Sequence, residues 1–532
     1  MTNSARSDVL AARATAVLSF LLFVWTHRHA LTLPGFAEDI GLVQQLAASA
    51  NAGKLFDVIW PRIVGPLWGP GSTMWRPLGF ASLGLDALIF GDHAGGWHLT
   101  NLLLHGLAAV FTGLLAQRLM TSSMAGAIAF ATVLLYPWTA EITLWLVGRF
   151  DGWATAGMAL AMWAGLISRG YDRWLLISVS AAALAFASKE STTLLPFGIA
   201  MLAAVDASRR DASCRLTAWL FFKRLLDRKC LVIAHVLIVL IYLGWRWILF
   251  GNVGINVYSS APIHSVVESA ARLGRHFEVF WSLAALAPGA SKVAALLAIT
   301  LSLIAVVRGN KWVSAMGALW ALAVFAGAAL HFTTTPGIGD GMRLYYLAAL
   351  GIAMLVAAAF SGPTSRAGHA LAITWICTLA IWQNEVNREW WQAAQELKRV
   401  TIAISNEIKT ISPEDYGLVM LPDPIGHVPM ARNAQGAIMT ESTKLNPAID
   451  VLSKMVALLP AQIEEWHGLM QGDVVRRITN RSDAPPRPTR YYCKEPGRDQ
   501  LSYLGFWPPG NAIDWRAQWR KAVADHCPSL KL

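Results

Sequence analysis

Charged side chains recur beside long apolar runs at five places in this sequence. Glu38 and Asp39 lie in FAEDIGLVQQL, and Glu141, Arg149 and Asp151 in PWTAEITLWLVGRFD. Lys189 and Glu190 form SKEST, Arg246 closes IYLGWR, and Asp340 with Arg343 marks GIGDGMRLYY. An ionisable group at the centre of a membrane helix costs about 2.5–3.5 kcal/mol on insertion scales, so such groups pair or serve a pathway. Snorkelling and headgroup ion pairing account for any one of them taken alone. Both signs recurring across these separate places points instead to a shared task. Acids and bases near the headgroup plane suit a substrate that is itself a lipid phosphate. Fixed Arg and Lys would stabilise the charge that gathers on phosphate as its bond to a sugar breaks. A carboxylate on the other side would take the proton of the attacking hydroxyl.

Composition says what must position these groups. Of 532 residues, 55% are hydrophobic and 14% are Asp, Glu, Lys or Arg, against roughly 25% charged in soluble domains. The mean hydropathy is +0.44, and the 24 Trp suit a headgroup belt. We expect a polytopic all-α membrane protein. Apolar runs near 12–32, 97–119, 123–140, 152–168, 174–187, 192–206, 231–250, 292–307, 312–330, 343–360 and 368–383 predict about 11 transmembrane helices. Met1 to Val9 is polar and no small-residue cleavage site precedes Pro34, which predicts no cleavable signal peptide.

The net charge of +11 does not indicate nucleic acid, because many basic residues sit in short stretches between apolar runs. Arg6, Arg13, Arg118, Arg169, Arg173, the basic loop Arg209 to Lys229, Arg308, Lys311 and Arg366 all fall on one side if the N-terminus is cytoplasmic. The charged hairpins and the tail from Asn384 then face outward. The run His276 to Pro288 is expected to be interfacial or re-entrant, since a span there would break the charge pattern. Two outer regions are substantial. The first, Leu33 to Gly96, holds an expected amphipathic helix over Pro77 to Phe90. The second is the tail, in which GLVMLPDP reads as a strand and turn and NREWWQAAQELKRV as a helix. We divide the chain into a membrane domain, 1–383, and a small α+β extracytoplasmic domain, 384–532. Cys493 and Cys527 are the two outer cysteines and are candidates for a disulfide.

In order along residues 15 to 360, the motifs resemble those of the GT-C superfamily of membrane glycosyltransferases, most closely the protein O-mannosyltransferase and TMTC-like branch. Glu38-Asp39 sits at the first-loop acidic pair, and WRPLGF with Arg76 resembles YRPL. GWHLTNLLLH carries His98, Asn101 and His105, and YPWTAEITLWLVGRFD carries Pro137, Glu141, Trp145, Gly148, Arg149 and Asp151. SKESTTLLP resembles SKExxxxLP, MRLYYLAALG keeps Arg343 and Tyr345, and IYLGWR keeps Arg246. The branch often has Asp-Asp where this chain has Glu-Asp, and no tetratricopeptide array follows.

The resemblance implies an inverting transferase that moves a sugar from undecaprenyl phosphate to a hydroxyl on protein, lipid A or glycan, outside a bacterial inner membrane. It implies that Asp39, or else Glu38, activates the acceptor, and that Arg149, Lys189, Arg246 and Arg343 contact phosphate. Glu141, Asp151, Glu190, Arg76 and Tyr345 are candidates for orienting substrate or cations. His98 and His105, seven residues apart on one helix face, either pack the helix or touch substrate. No zinc spacing or helical HExxH is present, and a divalent ion bridging carboxylate and phosphate is left open. A flippase of lipid-linked sugars and a polysaccharide polymerase or O-antigen ligase are the competing readings. The first lacks clear inverted repeats, and the second lacks one dominant late outer loop.

Overall fold

The computed structural model describes residues 3–69, 72–210, 226–252, 268, 271, 274, 284–308, 311–331, 341–362, 364–412, 415–445, 454–460, 489–507 and 515–530. These form two compact units, 1–31 with 49–387, and 32–48 with 388–532. The first-loop segment that carries Glu38 and Asp39 thus belongs to the unit that contains the C-terminal tail.

The first unit is helical. Asp8–Thr32, Ala94–Met120, Lys229–Phe250 and Pro288–Val307 are each long and apolar enough to cross a bilayer. A bent pair, Ser123–Leu134 with Pro137–Thr143, turns by 48° and adds a fifth. Among the described residues up to five spans pass on length and composition, and further apolar helices such as Arg173–Phe186 and Ala348–Ala357 are shorter. This is a multi-pass membrane protein. Pro77–Phe90 is a helix, as expected, but its exposed side carries Leu85, Leu88 and Ile89, so it is not amphipathic. Residues 276–283 of the run His276 to Pro288, Asp340 and most of the basic loop lie outside the described residues.

Small residues let the helices close on one another. A Cβ on Gly317 would stand 2.5 Å from the Gly351 carbonyl oxygen, and one on Gly351 would stand 2.4 Å from that of Gly317. Backbone meets backbone there, which is how membrane helices pack tightly without a hydrophobic drive between them.

The second unit is built on a four-stranded sheet. β1 (Tyr416–Met420), β2 (Met455–Leu458), β3 (Thr489–Cys493) and β4 (Ser502–Trp507) stand in the order β2-β1-β3-β4. β1 is parallel to both neighbours, and β4 is antiparallel to β3. Chain leaving β1 goes on to β2 on one side, and chain leaving β3 goes on to β4 on the other. That makes the crevice beyond the carboxyl ends of β1 and β3 a topological switch point, the usual ligand-binding place in open α/β sheets. Ile40 joins Leu397, Val400, Ile404, Val419, Met430 and Ile438 in the core of this unit. Cys493 and Cys527 are bonded. The helix Arg366–Glu407 runs 42 residues without a break, so the sequence NREWWQAAQELKRV continues the last apolar run.

Gly351→Ala should separate the two helices and destabilise the protein by about 1–3 kcal/mol, as overpacking does elsewhere. A lowered melting temperature in detergent checks this, and an unchanged one would show that the helices can slide apart at no cost.

Candidate active site

The motif between the two halves of the third hairpin forms the centre of the site. After Ser123–Leu134 the chain breaks at Tyr136-Pro137 into short turns, 137–139, 140–143 and 146–148, before the helix Arg149–Ile167 begins. Proline lacks the N–H that would continue the first helix, which forces the break. The freed backbone must be satisfied locally. Asn101, on the facing helix, donates through Nδ2 to the carbonyls of Ile142 (2.9 Å), Trp145 (2.9 Å) and Leu146 (3.3 Å). Gly148 is required because a Cβ there would stand 1.9 Å from the Glu141 carbonyl oxygen.

Glu141 is fully buried, and its carboxylate accepts from three successive backbone N–H groups of a distant loop. Gly341 N lies 3.0 Å from both oxygens, Met342 N 2.8 Å from Oε1 and Arg343 N 3.2 Å from Oε2. The Arg343 guanidinium then lies over the Trp145 ring, 4.4 Å from its centroid. Glu141 therefore orients the loop that carries Arg343.

The other cations are tied in the same way. Lys189 Nζ pairs with Asp151. Glu190 accepts from Arg76 at 2.9 Å and faces Arg246 Nη1 at 3.7 Å, while Arg246 Nη2 donates to the Thr73 carbonyl at 3.0 Å. Lys189 and Glu190 are adjacent in the chain, so the Lys189–Asp151 pair stands beside the Arg76–Glu190–Arg246 group. Among the described residues Arg76, Lys189, Arg246 and Arg343 stand with the carboxylates Glu141, Asp151 and Glu190. Such an arrangement can hold an anion.

Arg149 is placed differently. Its guanidinium is fully buried, 2.6 Å from Asp86, and donates to the carbonyls of Leu146, Ser82 and Trp97 at 3.0–3.2 Å. This geometry ties the hairpin to two helices. His105 also packs helices, facing the Tyr346 hydroxyl at 2.6 Å and the Leu134 carbonyl at 3.1 Å. His98 is fully buried. Tyr345 stacks on Phe325, with ring centroids 5.0 Å apart, and edges Trp138, inside an aromatic cluster. Sequence reasoning gave no role to Asp86, although a lone carboxylate in SLGLDALIF already demands a partner. The role of Asn101 carries no such signal, because its three acceptors lie more than 40 residues away.

Glu38 and Asp39 occupy the first turn of the helix Glu38–Asn51, where the positive end of the helix dipole favours carboxylates. Asp39 is fully buried and Glu38 is partly accessible. In the same unit burial holds the Asp423 carboxyl above the usual aspartate range, against the backbone N–H groups of Ala431 and Met430. Among the described residues no three His, Cys, Asp or Glu side chains converge as a metal site.

No known family matches the chain, and no curated protein is similar to it. Similar solved structures include the following two. One is ArnT from Cupriavidus metallidurans bound to undecaprenyl phosphate, 12% identical over 90% of this chain and 92% of that one, with a TM-score of 0.42. The other is an oligosaccharyltransferase from Archaeoglobus fulgidus solved with Zn and sulfate, 14% identical over 77% of this chain and 60% of that one, also with a TM-score of 0.42. The functional reading rests on the chain's own residues.

Glu141→Ala strands three buried N–H groups at about 1–3 kcal/mol each, whereas Glu141→Gln keeps one oxygen to accept them. The alanine variant should lose several kcal/mol and the glutamine variant less, read from melting temperature and monodispersity. Equal behaviour of the two would contradict the orienting role. Asp86→Ala should likewise cost about 3–5 kcal/mol, since it leaves the Arg149 charge buried and alone.

Proposed function

We propose that this protein is an inverting glycosyltransferase that uses a polyprenyl-phosphate sugar, most naturally an undecaprenyl-phosphate one, and transfers the sugar to a hydroxyl acceptor. The observation that carries this reading is the set of buried and half-buried basic side chains Arg76, Lys189, Arg246 and Arg343, held by Glu141, Asp151 and Glu190. A phosphate dianion gathering charge as it leaves is the chemistry such a cluster stabilises. In the step itself the acceptor oxygen bonds to the anomeric carbon, and the carbon–oxygen bond to phosphate breaks with its electron pair going to phosphate. The hydroxyl proton goes to a first-loop carboxylate, Asp39 or else Glu38. A single displacement inverts the anomeric centre.

Lys189 and Arg343 are assigned to the phosphate, with Arg76 and Arg246 behind them through Glu190. Arg149 holds the hairpin that presents them. No step is routed through a metal ion. The membrane domain 1–383 supplies the donor side, and 384–532 selects the acceptor, a protein, lipid A or a glycan. We place this second domain on the outer side of a bacterial inner membrane. The basic residues between apolar runs support that orientation, and so does the Cys493–Cys527 bond, which suits an oxidising compartment.

Membranes that carry the protein should transfer label from undecaprenyl-phosphate [14C]hexoses to an endogenous acceptor. Asp39→Asn should lower turnover by about 10²–10⁴-fold, with Glu38→Gln as the comparison. Full activity in both variants would sink the base assignment. Lys189→Ala and Arg343→Ala should each lower kcat by about 10²–10³-fold. Movement of labelled lipid between leaflets with no glycoside formed would make the protein a flippase instead. An alkaline phosphatase fused after Asn384 should be active, and an inactive fusion would place the tail on the cytoplasmic side.

A further inference from the structure

The backbone before the two first-loop carboxylates is held in a conformation it would not choose. Ala37 has φ +48°, the left-handed region, which costs a residue with a Cβ about 1–2 kcal/mol. Something must enforce it, and the contacts are visible within the second unit. Ala37 N donates to the Met430 carbonyl at 3.0 Å. The Phe36 ring meets Trp390 edge-on at 5.1 Å, and Ile40 enters the core. Gln44, two turns on, donates to the Ala437 carbonyl and to Glu441.

Met430 lies in the loop 421–434 that leaves the carboxyl end of β1, and its carbonyl is aimed by one side chain. Asp423 Oδ1 accepts from Met430 N at 2.6 Å and from Ala431 N at 2.8 Å, which closes the loop upon itself. Ile425 and Val428 exchange backbone bonds in its middle. Glu389, the residue before Trp390, accepts from His427 N at 3.1 Å and faces its Nδ1 at 2.9 Å. The loop can come this close only because Gly426 has no Cβ and stands at φ +57°. A Cβ there would lie 2.5 Å from Glu389 Oε2. One loop and one helix thus hold residues 36 and 37, and the residues immediately after them are Glu38 and Asp39.

We propose that Asp423 is a positioning residue for the first-loop carboxylates, acting through the Met430 carbonyl and the left-handed Ala37. The inference rests on the transferase reading and deepens it. The C-terminal domain sets the direction in which the first helical turn presents its acids. Turning Ala37 back to an ordinary conformation would rotate that turn, and a displacement of about 1 Å at a reacting group costs up to about 10²-fold in rate.

The test compares Asp423→Ala, Asp423→Asn and the double variant Asp423→Ala with Ala37→Gly, assayed with undecaprenyl-phosphate [14C]hexoses and endogenous acceptors. Asp423→Ala should lower kcat by about 10- to 100-fold with donor KM unchanged. Asp423→Asn should stay near wild type, since its oxygen still accepts both N–H groups. Adding Ala37→Gly should restore most of the lost kcat, because glycine adopts the left-handed conformation unforced. A residue that only closes its own loop would gain nothing from a glycine in another segment. Wild-type kcat in Asp423→Ala, or a loss that Ala37→Gly leaves uncorrected, would overturn the proposal. If Asp423→Ala does not fold, Asp423→Ser, whose short hydroxyl reaches fewer N–H groups, takes its place with the same expectations. The two readings fail separately. Loss of the base assignment shows as full activity in Asp39→Asn and Glu38→Gln, and loss of this inference shows as a normal Asp423 variant beside a dead Asp39→Asn.

Discussion

Burying a carboxylate such as Glu141 in an apolar bundle costs several kcal/mol, and only a full set of hydrogen bonds can offset that cost. Glu141 obtains them from the Gly341–Arg343 backbone, 200 residues away. That requirement fixes the shape of the site. The loop must come to Glu141, and in coming it lays Arg343 over Trp145. The same rule governs the rest of the bundle. Arg149 pulls Asp86 and three carbonyls around itself, Lys189 takes Asp151, and Glu190 bridges Arg76 and Arg246. Charges in hydrocarbon arrange the helices that carry them.

The network has a division of labour. Arg149 ties helices together through Asp86 and the carbonyls around its guanidinium. Its place in the motif beside Asp151 gives no hint of this. On the proposed reading Lys189 and Arg343 meet the arriving anion, with Asp151 and the Glu141-bound backbone holding them in place. The hairpin that joins these residues owes its broken form to Pro137 and its tight return to Gly148, with Asn101 satisfying the carbonyls that the break releases.

The second unit shows how a loop remote in sequence becomes part of a small domain. Ile40 lies in the same core as Val419 and Ile438, and Ala37 takes its conformation from Met430. A helix N-terminus that carries two acids is common, but one whose entry is held left-handed against a loop at a sheet switch point is a built arrangement.

By itself the sequence determined that the chain lives in a membrane, since hydropathy is a local sum over some 20 residues and needs no partner. It also singled out Glu38, Asp39, Glu141, Arg149, Lys189 and Arg343 as candidates, because an ionisable group beside an apolar run is costly wherever it folds. Local propensity and turn chemistry likewise made β1 and the helix after Asn384 legible. What tertiary structure alone decided is which charge answers which. Whether Arg149 faces phosphate or Asp86, whether Tyr345 meets charge or Phe325, and which domain owns Asp39 all depend on contacts between distant segments. Neither spacing nor composition encodes such contacts. The bend of the apolar run after Leu134 likewise belongs to the folded chain, where Pro137 breaks the helix and Asn101 satisfies the released carbonyls.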